Sequence, residues 1–246
     1  MSDSTPIKAC IDKVLPPELE EKAKEIALAE NPKNAPRPAA PFELASDWRY
    51  LWRPGSILTV RFLEGDPVVQ AKVEQYAHQW EQFANIKFDF VAEGPAAIRI
   101  AFIEGDGSWS YLGTQALLFT DPIMPTMNYG WLTADSEEEE YSRVVLHEFG
   151  HALGCYHEHQ HPRNGIPWDR EKAYEYYGRQ GWTREDVDFQ VFKKYSRWFT
   201  RSSQFDPTSI MMYPVPAELT GGEFSVGWNR VLSDTDKAYI GKLYPF

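Results

Sequence analysis

Between His147 and His157 the chain reads H-E-F-G-H-A-L-G-C-Y-H, and no other stretch restricts the possible folds as much. Five of the six histidines, His147, His151, His157, His159 and His161, fall within the fifteen residues 147–161. At about 100° per residue, a helix sets His147 and His151 one turn apart and roughly 40° apart around its axis, so both imidazoles can reach one ion. Glu148 then falls on a neighbouring face, where a carboxylate touches a water on the metal and not the metal itself. Gly154 permits a left-handed turn, and the turn lets the chain return His157 as a third ligand. Three nitrogens and an open fourth position describe a catalytic zinc site, whereas structural sites are closed by four protein ligands.

The flanking sequence supplies the elements. Ile57–Leu63, Ile86–Val91 and Ala97–Ile103 read as strands, with Ala116–Phe119 as a further short one. Pro67–Ala84 reads as a helix with Val69, Val73, Tyr76 and Trp80 on one face. The helix carrying His147 is expected to start at Ser136 as N-cap, with Glu139 completing a capping box and Glu137–Glu140 facing the positive end of the dipole. Gly154 suits its C′ position. Beyond it the chain is irregular and rich in Trp and Tyr, with helix candidates at Asp169–Arg179 and Ser233–Tyr244.

Ahead of the catalytic stretch, Pro17–Glu30 reads as an amphipathic helix with Leu19, Ala23, Ile26 and Ala27 on one side. Residues 31–41 carry Pro32, Pro36, Pro38 and Pro41, which prevents a helix and suggests an extended linker. The chain therefore divides into an N-terminal extension, 1–47, and a main domain, 48–246.

Charge and composition exclude several classes. With 25 basic against 36 acidic residues the net charge is −11, and no basic run offers phosphates a partner, so nucleic acid is not expected. No apolar stretch approaches a membrane span, and residues 1–17 lack the charged and apolar regions of a secretory leader. The compartment stays open. Cys10 and Cys155 are the two cysteines, which allows one bridge or two free thiols and rules out a disulfide framework. A monomer is expected.

The 147–157 run resembles the metzincin zinc motif H-E-x-x-H-x-x-G-x-x-H, and Glu158, directly after the third histidine, resembles the astacin branch. Ser209-Ile210-Met211-Met212-Tyr213 is similar to that branch's Met-turn, and Gly107-Ser108-Trp109-Ser110-Tyr111-Leu112-Gly113 to the segment forming its upper-rim edge strand. The resemblance implies an α+β, two-lobed catalytic domain. Its N-terminal lobe would hold a twisted mixed sheet with two long helices and its C-terminal lobe would be irregular with one helix, the zinc cleft lying between. It implies one catalytic Zn2+ on His147, His151 and His157, Glu148 as general base, Met211 beneath the metal, and Tyr213 as switchable ligand and oxyanion donor. The implied activity is endopeptidase, on a protein or peptide bound as an extended strand.

In the family, the acid at position 158 contacts the mature N-terminus, and metzincin precursors are silenced by a pro-segment cysteine or aspartate, for which Cys10 and Asp12 are the candidates. Departures are also evident. Ser108 stands where astacins usually have cysteine, the family disulfides are missing, Cys155 replaces a phenylalanine, and His161 replaces an arginine, so no cleavage preference carries over. A zinc hydrolase of a non-peptide amide and an inactive zinc-containing binding module are the alternatives. His159 and His161 are expected to be exposed loop residues, and Cys155 a buried thiol.

Overall fold

The computed structural model describes residues 10–35, 49–195 and 205–246. Five strands form one mixed sheet: β1 (Ile57–Phe62), β2 (Lys87–Phe90), β3 (Ile98–Ala101), β4 (Ser108–Ser110) and β5 (Met127–Tyr129), in the order β2-β1-β3-β5-β4. β1 runs parallel to β2 and β3, β3 parallel to β5, and β4 antiparallel to β5 as the edge strand. Alternation dictates the faces: Leu58 and Val60 of β1 point into the core, while Ile57 is exposed.

Two helices cover that sheet. α1 (Pro17–Glu30) precedes them in the chain; α2 (Pro67–Ala77) starts on Asp66, whose carboxylate accepts from Val68 N, and continues as a tighter 3-10 turn over His78–Gln82. Val69, Val73, Ala77 and Trp80 are its buried face. α3 (Glu138–Ala152) carries the histidine motif and is buried along nearly its whole length. Phe149 meets Phe88 of β2 edge-on at 4.9 Å, which fixes the helix against the sheet.

The last turn of α3 is held unusually firmly. Trp52 Nε1 donates to Ala152 O at 2.8 Å, and the Tyr244 hydroxyl donates to Leu153 O at 2.7 Å, satisfying carbonyls that a helix end leaves open. Gly154, at φ +87°, then turns the chain: Cys155 N bonds Gly150 O at 2.9 Å and Gly154 N bonds His151 O at 2.8 Å, the paired bonds of a Schellman cap.

The C-terminal part holds α4 (Arg170–Gly178), α5 (Arg184–Val187) and α6 (Asp234–Leu243) among loops. It is irregular as expected, and α4 and α6 fall on the helices expected at Asp169–Arg179 and Ser233–Tyr244. Asp169 caps α4, and Ser233 with Asp236 forms the capping box of α6.

Three local expectations are corrected. Glu137, not Ser136, is the N-cap of α3, and it makes no side-chain cap bond. Ser136 is used in a turn instead, its Oγ accepting from Thr133 N at 3.0 Å. Ala116–Phe119 is no strand: Gly113–Leu118 is a 3-10 helix, drawn inward where Thr114 N bonds Tyr50 O at 2.9 Å. Pro32–Asn34 of the linker is a 3-10 turn capped by Asn31, while the stretch carrying Pro36, Pro38 and Pro41 lies outside the described residues.

Residues 10–35 pack on the body. Leu15 and Ala23 are buried with Leu118, and Leu19 and Ile26 lie against them with Tyr50 and Phe119. Asn34 bonds Ala27 O, Leu51 O and Leu51 N, all within 2.9 Å, and Asn31 Nδ2 donates to Trp52 O at 2.8 Å. Two buried amides thus join α1 to the segment that enters the main domain.

Candidate metal centre and cleft

His147 and His151 project from one side of α3, and the reversal at Gly154 returns His157 to the same point. The three Nε2 atoms are 3.0, 3.1 and 3.2 Å apart. A nearly equilateral triangle of that size has its centre about 1.8 Å from each nitrogen, short enough for bonds of about 2.0–2.1 Å from all three nitrogens to meet at one zinc ion.

The other ring nitrogens fix the tautomers. His147 Nδ1 donates to Ile210 O and His151 Nδ1 to Cys155 O, both at 2.8 Å, so these two rings turn their Nε2 lone pairs toward the point of convergence. Burial first, then repulsion from the neighbouring imidazoles, holds His147 well below its ordinary pKa and brings His151 to about 3. Three buried ring nitrogens converging on one point suit a cation, and a zinc ion fits this donor set.

Glu148 is fully buried beside them, and neither of its oxygens has a hydrogen-bond partner among the described residues. Burial, with Asp12 adding repulsion, pushes its carboxyl up to about 8 even though the Cys10 thiol and Arg143 pull the other way. A buried carboxylate without partners is costly.

The Met-turn closes the floor. Met211 packs on α3 at Gly150, where a Cβ would come within 2.4 Å of its Sδ and 3.3 Å of the Trp80 ring. A side chain there would have to displace the Met211 thioether, although the motif pattern leaves that position free. Asp236 secures the turn from α6, accepting from Ser209 Oγ at 2.6 Å and Ile210 N at 2.8 Å. Since Ile210 O in turn orients His147, a residue 89 positions from the histidine helps to aim it. Neither Gly150 nor Asp236 is singled out by sequence; the capping box at Ser233 is the one signal near Asp236.

Tyr213 lies over the triad, its ring 4.4 Å from that of His157 and 4.2 Å from that of His159. Its hydroxyl donates to the backbone carbonyl of Cys10. His159 and His161 are both buried, which corrects the expectation of exposed loop residues. His159 Nε2 donates to Gln190 O at 2.7 Å, and its ring stacks on Tyr213 at 27°. Long-range partners, not local pattern, take these rings inside. Glu158 is half-buried; its Oε1 accepts from Asp206 N at 2.8 Å, and burial pushes its carboxyl up to about 8.

The N-terminal segment runs through the cleft. Cys10 pairs with Ser108 of β4 in a parallel bridge, and Ile11 N donates to Ser108 O at 2.9 Å. Cys10 Sγ, a ring nitrogen of His147 and a carboxylate oxygen of Glu148 lie within 4.8 Å of one another. Asp12 Oδ1 is 3.0 Å from His157 Nδ1, out of line for a hydrogen bond but close as a charge. Burial alone would raise the Asp12 carboxyl, yet the histidines, His157 foremost, hold it well below the usual range. Cys10 and Cys155 are both buried free thiols, so no bridge joins them.

Known proteins match this arrangement. The family model for the astacin peptidases matches residues 46–223. A solved structure of myroilysin superimposes with a TM-score of 0.77 at 48% identity, covering 80% of this chain and 96% of that one. A crystal structure of myroilysin covers 97% of this chain and 100% of its own at 40% identity and a TM-score of 0.64. High choriolytic enzyme 1, a hatching enzyme zinc-protease from Oryzias latipes, shares the fold at 18% identity with a TM-score of 0.54, over 79% of this chain and 94% of that chain. No curated protein sequence matches. The family match runs through most of the catalytic body, the cleft and the zinc motif alike, and this chain accordingly belongs to the astacin family and is a zinc metalloendopeptidase.

Proposed function

We propose that His147, His151 and His157 hold the catalytic zinc, that Glu148 handles the proton, and that Tyr213 binds the developing oxyanion during cleavage of internal peptide bonds. The observation that carries this is the convergence of three buried Nε2 atoms beside a buried carboxylate with no hydrogen-bond partner among the described residues. Zinc, when bound, supplies Lewis acidity: it lowers the pKa of water to about 7 and polarises a carbonyl. Glu148 takes the proton from the attacking water and returns it to the departing amide nitrogen. Tyr213 already donates to a peptide carbonyl, that of Cys10; the same hydroxyl, turned to the scissile carbonyl, supplies the oxyanion donor. The substrate lies extended along β4, whose edge offers backbone groups indifferent to side chains.

The same cleft supports a second element of the proposal: residues 1–47 keep the enzyme latent. Residues 10–12 lie along β4 where a substrate would, and the buried Cys10 thiol sits among the catalytic groups. A thiol there has the chemistry of a zinc ligand.

The test is digestion of an unfolded protein by the activated enzyme, with and without a zinc chelator, with the cuts mapped by mass spectrometry. Chelation abolishes cleavage. Glu148→Gln keeps about one zinc per chain and loses most activity, whereas His151→Ala loses the metal. Turnover of only non-peptide amides, or near wild-type cleavage by Glu148→Gln, overturns the assignment.

A further inference from the structure

Residues 10–12 lie extended between two walls of the cleft. On one wall Ile11 N bonds Ser108 O of β4. Main-chain groups of an extended chain alternate sides, so those of Cys10 and Asp12 face the other wall. There the Tyr213 hydroxyl takes the Cys10 carbonyl, and one side chain takes both main-chain groups of Asp12. Asp12 N donates to Gln190 Oε1 at 3.0 Å, and Gln190 Nε2 donates to Asp12 O at 3.1 Å. The carboxamide does for Asp12 what a neighbouring strand would do.

We propose that Gln190 is a main-chain clamp of the substrate cleft, gripping the N–H and C=O of one residue of an extended peptide, two positions along from the residue whose carbonyl faces Tyr213. This rests on the endopeptidase reading above and adds a binding residue to it.

The site is built for the task. Gln190 is 7% exposed and sits in a single π-helical turn, Asp188–Phe192, a distortion that tends to mark functional positions. Its own carbonyl accepts from His159 Nε2 at 2.7 Å and Gln160 Nε2 at 3.1 Å. His159 also stacks on Tyr213, so one buried ring supports both groups of the wall and sets their spacing. A primary amide has a further property that a strand lacks. Rotating its terminal torsion exchanges donor and acceptor, so Gln190 can serve chains running in either direction. The bound segment runs parallel to β4; a substrate running the other way needs only that rotation.

The ligand class follows: an extended peptide with an unsubstituted N–H at the gripped residue, its side chain unspecified. Proline and N-methyl residues are rejected there, since neither offers the donor.

The experiment uses the full chain, folded intact and then activated by limited proteolysis ahead of the catalytic body. Gln190→Ala raises KM for a peptide spanning the cleft by about tenfold, the loss expected for two hydrogen bonds, while kcat falls far less. Gln190→Glu, which keeps the shape but loses the donor, shows the same direction. An N-methyl group at the gripped residue costs the wild type a similar factor and costs Gln190→Ala nothing further, as a coupled pair requires. In the uncleaved chain, Gln190→Ala speeds labelling of the Cys10 thiol, because the segment opens more often. Wild-type KM in both variants together with unchanged Cys10 labelling overturns the clamp. If instead the activated wild type binds no zinc and cuts no peptide, the endopeptidase reading fails, and the labelling arm alone decides whether Gln190 grips main chain.

Discussion

Replacing Asp236 tests whether the zinc site is aimed from outside itself. The carboxylate is 8% exposed and takes three bonds, from Ser209 Oγ, Ile210 N and Ser233 N, at 2.6, 2.8 and 2.9 Å. In Asp236→Ala the first two donors stay buried without an acceptor, at about 1–3 kcal/mol each. Loss of half the α6 capping box adds about 0.5–2 kcal/mol. Together these come to roughly 5 kcal/mol at the middle of those ranges, and at about 2–4 °C per kcal/mol for a chain of this size the Tm falls by roughly 10–20 °C. Asp236→Asn keeps one acceptor oxygen and sheds the charge whose burial raises this carboxyl above its ordinary pKa, so its Tm falls by about half as much. Scanning calorimetry at fixed zinc measures both, because bound metal itself shifts Tm. Since Ile210 O orients His147, Asp236→Ala also releases zinc faster to a chromogenic chelator. A Tm within about 3 °C of wild type, or equal losses in the two variants, refutes the reasoning.

Gly150→Ala drives a methyl against Met211 Sδ; such overpacking costs about 1–3 kcal/mol, seen as a lower Tm and faster zinc release. In the activated enzyme, Tyr213→Phe lowers kcat by about 10²–10³ with a smaller change in KM, the signature of an oxyanion donor; equal kcat values would return Tyr213 to a packing role. The uncleaved chain digests casein more slowly than the activated one, and Cys10→Ser narrows the gap; no difference on cleavage would remove latency. Burial pushes the Cys155 thiol far above its ordinary value, so iodoacetamide leaves it unmodified in the native protein and labels it after unfolding, a contrast read by intact mass.

The metal site was legible because its geometry is local: spacing on one helix and one glycine turn specify where His147, His151 and His157 go. Elements whose caps lie beside them were legible for the same reason, as with Asp169 for α4 and Ser233 for α6. Ser136 misled because a hydroxyl can serve either a helix or the turn before it, and here Thr133 claims it. The 3-10 helix at Gly113–Leu118 follows from a bond to Tyr50, more than sixty residues earlier. His159 turned inward for the same kind of reason, since its partner Gln190 is 31 positions away. Nothing in a period of two or of 3.6 encodes such pairings. Asp12 was visible as a candidate, yet its approach to the Nδ1 side of His157, away from the triad's convergence point, depends on where β4 and the Gln190 turn place the main chain.

The bridge between Cys10 and Ser108 also bears on solubility. β4 is the outermost strand of the sheet, and an uncovered edge is a template for pairing with any other extended chain. While residues 10–12 lie on it, that template is occupied by the molecule's own backbone, and Lys13 adds a cation over the Trp109 ring at 4.1 Å. Removal of residues 1–47, as proposed above, would uncover it. The proposed substrate edge would then also receive strands from partly unfolded neighbours, so the activated form is expected to self-associate on storage at concentrations where the uncleaved chain stays dispersed, with a cleft-bound peptide protecting it.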